Sequence, residues 1–259
     1  MKLKDKVAIV TGGAVNLGKC IALRLARDGA DVALFAPEET ELSETAEEIR
    51  KLGRRALPVV GNIRAPTQIA DAVSRCRSEL GEIDILVNNS GTAGPTSLVR
   101  DVTLDEWNDC LFINLTGAFL FSKAVATHMM ERRRGKIICI SSIAGRIGYP
   151  LRSPYCVAKW GVIGLAKTLA AELGEYKIQA NAVLPGPVEG DRMKRVIESR
   201  AQELGQSIEQ VTETYHQKSA LKKMVQPEDV AAMVAFLVSQ EADNITGEAI
   251  DVSAGWGLA

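Results

Sequence analysis

Short apolar runs alternate along the chain with longer amphipathic stretches. Residues 6–11 (KVAIVT), 32–35 (VALF), 56–60 (ALPVV), 83–87 (IDILV), 136–140 (KIICI), 178–184 (IQANAVL) and 249–252 (AIDV) are brief and rich in β-branched residues, which predicts seven buried strands. Between them, Leu17, Ile21 and Leu25 recur at helical spacing, as do Ile69, Ala72, Val73, Cys76 and Leu80. Residues 39–52 form a polar helical stretch closed by Gly53. Leu104, Trp107, Leu111, Leu115 and Phe119 are expected along one side of a long helix. Pro227, Glu228 and Asp229 open a last helix with core positions Val230, Met233, Val234 and Leu237. Unbroken alternation of strand and helix predicts an α/β fold: a doubly wound parallel sheet of seven strands with helices on both faces. Residues 191–223 are highly charged and helical in pattern, and interrupt the alternation; a substrate lid is expected at about 188–224. No repeat or low-complexity linker divides the chain, so one domain is expected over residues 1–259.

Composition narrows the function. The 259 residues carry a net charge of −1, which gives no electrostatic reason to expect nucleic acid or an anionic membrane. No apolar run approaches the ~20 residues of a membrane span. The N-terminal apolar run is short and continues into glycines, so it reads as a first strand and not as a signal peptide. Five cysteines without a Cys-x-x-Cys pair point to a reduced, cytoplasmic location. His128 and His216 stand alone, so no metal site is expected.

The chemistry concentrates in residues 141–159. Tyr155 and Lys159 are four residues apart, hence one turn apart on one face of a helix. An ammonium beside a phenol favours the phenolate, so Tyr155 can exchange a proton with an alcohol or ketone near neutral pH. A strand ending near residue 140 would hold the Ser142 hydroxyl at a cleft. Taken alone, the pair is also compatible with a surface helix bearing a snorkelling lysine. Glycines 12 and 18 sit between the first strand and first helix, where they let backbone approach a pyrophosphate; a plain tight turn is the alternative. Asn88-Asn89-Ser90-Gly91 follows the fourth strand, at the edge where open parallel sheets bind ligands.

Together, Thr11-Gly12…Gly18, Asn88-Asn89-Ser90-Gly91, Asn114, Ser142, Tyr155, Lys159 and Pro185-Gly186 resemble the short-chain dehydrogenase/reductase family over nearly the whole chain. The resemblance implies a Rossmann-type domain and a nicotinamide-dependent oxidoreductase acting on a secondary alcohol or ketone. It implies Tyr155 as general acid/base and Lys159 as the group that lowers its pKa and holds the nicotinamide ribose. Ser142 would orient the substrate oxygen, and Asn114 would fix a water near Lys159. Gly12, Asn16, Leu17, Gly18, Asn62, Ile63, Asn89, Gly91, Pro185, Gly186 and Val188 would meet the cofactor. Asn16 replaces the family's middle glycine, Ser90 a usual alanine, Asn62 an acid and Gly190 a threonine. Two other functions on such a fold are a non-catalytic dinucleotide-binding regulator and an epimerase or dehydratase. The complete Ser142, Tyr155, Lys159 and Asn114 set argues against the first, and the early end of the chain after the seventh strand against the second.

Three finer expectations follow. Ala36 and Pro37 lack the acid that NAD-preferring relatives usually carry, but they also lack the cation of NADP-preferring ones; Glu38 and Glu39 tip the balance to NAD over NADP. Small and apolar residues on several faces of the two long central helices predict a homotetramer. Arg152 or Arg192 could clamp an anionic substrate. The plainer account is a solvated helix face on which Lys194 and Arg195 pair with Glu198.

Overall fold

The computed structural model describes residues 2–257; Met1, Leu258 and Ala259, at the ends of the expected domain, lie outside the described residues. The seven apolar runs form β1 (Val7–Thr11), β2 (Asp31–Ala36), β3 (Ala56–Val60), β4 (Ile85–Asn88), β5 (Gly135–Ile140), β6 (Ile178–Pro185) and β7 (Ala249–Val252). All pair in parallel, in the order β3-β2-β1-β4-β5-β6-β7. The alternation of side chains across a strand explains why the central runs are apolar throughout. Ala8 and Val10 enter one core while Val7 and Ile9 enter the other.

Helices α1 (Asn16–Arg27), α2 (Glu39–Lys51) and α9 (Pro227–Leu237) cover the first face. Helices α3 (Pro66–Glu79), α5 (Gly117–Arg132) and α6 (Ser153–Leu173) cover the second. Helix α4 (Leu104–Leu111) leads into α5 through a π turn at Phe112–Thr116. The charged stretch folds as α7 (Asp191–Leu204) and α8 (Ile208–Gln217), held by a small separate core of Ile143, Ile197, Ala201, Val211, Tyr215, Met224 and Trp256. The strand order reverses between β1 and β4, which opens a crevice at their carboxyl ends.

The expected face of the long helix is corrected here. Leu104 and Phe119 are exposed, and Trp107, Leu111 and Leu115 are only half-buried. The core is instead reached by Cys110, Asn114, Phe121, Val125 and Met129. The π turn, where the Gly117 N–H donates to the Phe112 carbonyl, five residues back, shifts the phase of every later position and carries Phe119 off the inner face; Leu104, Trp107 and Leu111 precede the turn and already lie off that face in α4. The joined helical run Leu104–Arg132 spans 29 residues and is long and apolar enough to cross a membrane, which no uninterrupted apolar run in the sequence is. Its inner face packs on the sheet, with Phe121 edge-on to Phe35 at 5.0 Å between ring centres.

Candidate active site

Strand β1 ends at Thr11, whose buried hydroxyl accepts the Asn89 and Ser90 N–H groups at 3.0 Å each. Asn89 answers through its side-chain amide, which donates to the Thr11 and Gly12 carbonyls at 3.0 and 3.2 Å. The turns after β1 and β4 are thereby locked together. Between them the chain comes very close to itself: a Cβ at Gly18 would lie 1.9 Å from the Gly12 carbonyl oxygen, and Gly12 has φ +63°. Only glycine fits at Gly18, and the left-handed backbone and close neighbours of Gly12 favour glycine there. Asn16 takes φ +50°, the left-handed conformation that asparagine tolerates better than most residues, so the turn keeps its shape without the family's middle glycine. Val15 caps α1 with no side-chain hydrogen bond, which leaves first-turn N–H groups facing the cleft. This backbone cradle fits a dinucleotide pyrophosphate.

The cleft of about 480 Å³ runs from this cradle across the sheet edge. At one end Ala36, Pro37, Glu38, Asn62 and Ile63 line it. The nearby cations are engaged: Lys19 with Glu48 at 2.7 Å and Arg64 with Asp109 at 2.7 Å. Pro185 ends β6, and Gly186 follows so close to β7's exit that a Cβ there would meet Ser253 Cα at 2.8 Å. Val225 bonds the Pro187 carbonyl and the Glu189 N–H, leaving the backbone groups of Val188 outside that bridge. Gly190 has φ +134°, a conformation that would strain the threonine usual at this place.

The reacting end is built by β5 and α6. Ser141, just past β5, donates to the Lys159 carbonyl at 2.7 Å and fixes α6 against the strand exit. Ser142 has extended backbone, and its hydroxyl accepts the Ala144 N–H at 3.2 Å. Lys159 is buried; its ammonium donates to the Ile140 carbonyl at 2.9 Å and sits 5.7 Å from the centre of the Tyr155 ring. Burial alone would raise the Tyr155 phenol. The charges of Lys159, Arg192 and Arg152, with the Ser142 hydroxyl beside it, overcome that and hold it below the ordinary tyrosine range. Burial lowers Lys159 as well, against the opposing pull of a Tyr155 phenolate.

Asn114 does not line the cleft. It lies buried in the π turn, with its amide nitrogen donating to the Cys110 and Thr92 carbonyls at 2.9 and 3.2 Å. Its Oδ1 is buried with no partner. A Cβ on Gly91 would be 2.8 Å from that oxygen and 3.6 Å from the Lys159 ammonium, so the glycine keeps open the space between them. All the other residues named from the sequence as catalytic, cofactor-binding or substrate-binding border the cleft.

Sequence reasoning missed the far wall. Tyr149 and Tyr215 share a hydrogen bond at 2.7 Å, and Trp256 packs on both rings; nothing in the spacing of these residues joins three separate segments. The expected surface pairs are also corrected. Lys194 pairs with Asp191 at 3.4 Å and not with Glu198, and no ion pair among the described residues joins Arg195 to Glu198. In their first turns on α7, the lysine side chain reaches back toward the helix N-terminus, where Asp191 stands.

A family model described as short chain dehydrogenase matches residues 6–201. The chain is 36% identical over 255 residues to the 3-oxoacyl-(acyl-carrier-protein) reductase of Vibrio cholerae, covering 98% of each. It is 32% identical over 255 residues to the reductase of the same name from Thermotoga maritima, covering 98% of this chain and 99% of that one. Among solved structures, NAD+-bound xylitol dehydrogenase superposes with a TM-score of 0.96 at 29% identity, over 98% of this chain and 100% of that one. A variant of actinorhodin polyketide ketoreductase with NADPH gives a TM-score of 0.94 at 34% identity, over 98% of both chains.

Proposed function

The chain belongs to the short chain dehydrogenase family and is an oxidoreductase of that family, and from this we propose how its residues divide the work. The reaction moves a hydride between a nicotinamide dinucleotide and a secondary alcohol or ketone carbon. With its pyrophosphate held by the glycine cradle, a dinucleotide would supply, through its nicotinamide, the hydride acceptor or donor. In the oxidising direction Tyr155 takes the hydroxyl proton, and in reduction it returns it. Lys159 favours the phenolate by its charge. Ser142 hydrogen-bonds the reacting oxygen and holds it toward Tyr155. The partnerless Oδ1 of Asn114, facing the Lys159 ammonium across Gly91, holds a water through which the proton leaves. The single observation that carries this reading is geometric: Tyr155, with the Lys159 ammonium 5.7 Å from its ring centre, and Ser142 border one cleft that also contains the glycine cradle.

A non-catalytic regulator would have no use for that arrangement, and reductases among the relatives favour the enzyme. Within the same reading, residues 1–259 act as one domain with 188–224 as its lid. The preferred cofactor is NAD: Glu38 stands at the adenosine end, and Lys19 and Arg64 are already paired. NADP, which a solved relative holds as NADPH, is the rival. Exposed Leu104, Phe119, Val157 and Trp160, with open space over Gly164, support association into a homotetramer. Five free cysteines suit a cytoplasmic setting. The test is to mix purified protein with NAD or NADP and a panel of secondary alcohols and follow nicotinamide absorbance. Absence of turnover with every alcohol and ketone tried, despite dinucleotide binding, overturns the reading. A specificity constant much higher with NADP overturns the cofactor preference, and a monomer mass in dilute solution overturns the tetramer.

A further inference from the structure

Three cations surround the Tyr155 ring and favour its phenolate, and the mechanism above gives a separate task only to Lys159. Besides Lys159, the guanidinium of Arg152 lies 4.9 Å from the ring centre and that of Arg192 lies 5.9 Å from it. Arg152 is 3% exposed. One nitrogen donates to the Ala93 carbonyl at 2.7 Å, and its Nε is buried with no partner.

Elsewhere in this molecule, sequestered arginines are answered by acids. Arg132 pairs with Asp84 at 2.9 Å and Arg54 with Asp31 at 2.7 Å, and both arginine side chains are more exposed than Arg152. Among the described residues no carboxylate lies within 4.0 Å of the cationic nitrogens of Arg152 or Arg192. A buried charge without a counter-charge is costly, and a ligand that brings the missing negative charge recovers that cost on binding. Tyr149, Tyr215, Ile143 and Met193 border the same cleft, and Glu189, a carboxylate that also borders it, forms no ion pair with either arginine. The solvated-face account also fails for Arg152, which is buried on α6's N-terminal flank and not on the α7 surface.

We propose that Arg152 and Arg192 form a receptor for an oxyanion group borne by the substrate close to its reacting carbon, so that the substrate is a hydroxy acid or oxo acid. The proposal rests on the oxidoreductase reading above and deepens it. The anion is a carboxylate, sulfonate or phosphate, each of which accepts a two-pronged guanidinium contact. The reaction is otherwise unchanged: the carbinol C–H leaves as hydride to the nicotinamide and the O–H proton passes to Tyr155. The rival use is a phosphate of the dinucleotide. It concerns Arg192, which follows Gly190 near the Asn16 turn, more than Arg152, which is tied to Ala93.

Matched substrates decide the matter. Wild-type enzyme saturated with dinucleotide is offered 3-hydroxybutyrate and its methyl ester, then 2-hydroxypropane-1-sulfonate, glycerol 3-phosphate and their neutral counterpart 1-methoxy-2-propanol. At least one acid is expected to exceed its neutral counterpart by about 100-fold in kcat/KM, the usual weight of a desolvated charge pair, and which acid wins identifies the anion. Arg152→Ala is expected to bring that ratio close to one, with Arg152→Lys recovering part of it. Arg192→Ala, on a half-buried side chain, gives the same reading if Arg152→Ala does not fold. Dinucleotide Kd, titrated on each variant, is expected to move little. Neutral counterparts used as well as the acids, acid and ester losing activity alike, or a dinucleotide Kd that weakens in step with turnover would each overturn the proposal. Oxidation of other secondary alcohols but of no acid sinks the proposal and leaves the oxidoreductase reading standing; no oxidation of any alcohol removes both.

Discussion

At the end of the cleft proposed for the dinucleotide, position is set by backbone; at the end proposed for the substrate it is set by side chains. The first is made of turns in which a single Cβ cannot be added, braced by Thr11 and Asn89 and fed by the uncapped start of α1. The second is made of long, polarisable or charged groups from three separate segments: Tyr149, Arg152 and Tyr155 from one, Arg192 from α7 and Tyr215 from α8. A backbone cradle recognises what every dinucleotide shares, its phosphates and sugars. A side-chain wall can be altered one residue at a time without disturbing the cradle, so substrate choice is free to change while the cofactor site stays put.

The contrast can be broken most sharply at the boundary between the two halves. Tyr155→Phe keeps the ring and its neighbours but removes the proton that moves. It is expected to lower kcat by about 1,000-fold or more, with dinucleotide affinity nearly intact by titration. A variant that turns over at close to the wild-type rate would end the proposed role of Tyr155. Gly18→Ala is the reverse experiment. Its methyl must displace the Gly12 carbonyl and the Asn89 amide, so dinucleotide Kd is expected to rise by about 100-fold, a few kcal/mol, with a lowered melting temperature. If binding survives, the cradle is not what holds the cofactor.

A smaller effect sharpens the other side. Arg192 helps hold the Tyr155 phenol low because a positive charge favours the phenolate. Arg192→Ala removes that charge, so the phenol rises and the acid limb of alcohol oxidation, where activity climbs as Tyr155 loses its proton, moves to higher pH. A pH profile of kcat/KM with a neutral alcohol checks the direction, and a shift to lower pH would contradict the charge argument. The smallest effect is expected at Asn16→Gly. Glycine at φ +50° loses the small strain of the left-handed conformation but gains freedom in the unfolded chain, so stability should change by about 0.5 kcal/mol or less. A loss of several kcal/mol, measured by denaturant unfolding, would mean that the Asn16 side chain does more than tolerate its turn.

The same division explains what could be read from the sequence. The sheet was legible because fully buried parallel strands are apolar on both sides, and the seven runs leave little room for another assignment. Gly12, Gly18, Ser142, Tyr155 and Lys159 were legible because their spacing is tied to the strands and helices that carry them. The aromatic wall was not, since Tyr149, Tyr215 and Trp256 meet only once α8 and the end of the chain fold over the sheet. The burial of Arg152 was equally hidden: beside a proline and a serine, an arginine looks like a surface residue until Ala93 and Tyr155 close around it.

The π turn at Phe112–Thr116 also bears on how such chains are aligned and edited. One surplus residue rotates everything downstream by about 100° on a helical wheel. The run Leu104–Arg132 therefore behaves as two gears meshed out of step, the first set by Cys110 and the second by Phe121, Val125 and Met129. Removing one residue from the turn would re-engage them as a single regular helix, swinging the core-facing triad away from the sheet or Asn114 away from Lys159. In this segment the number of residues is therefore as much a part of the site as their identity, and a gap placed there costs more than most substitutions.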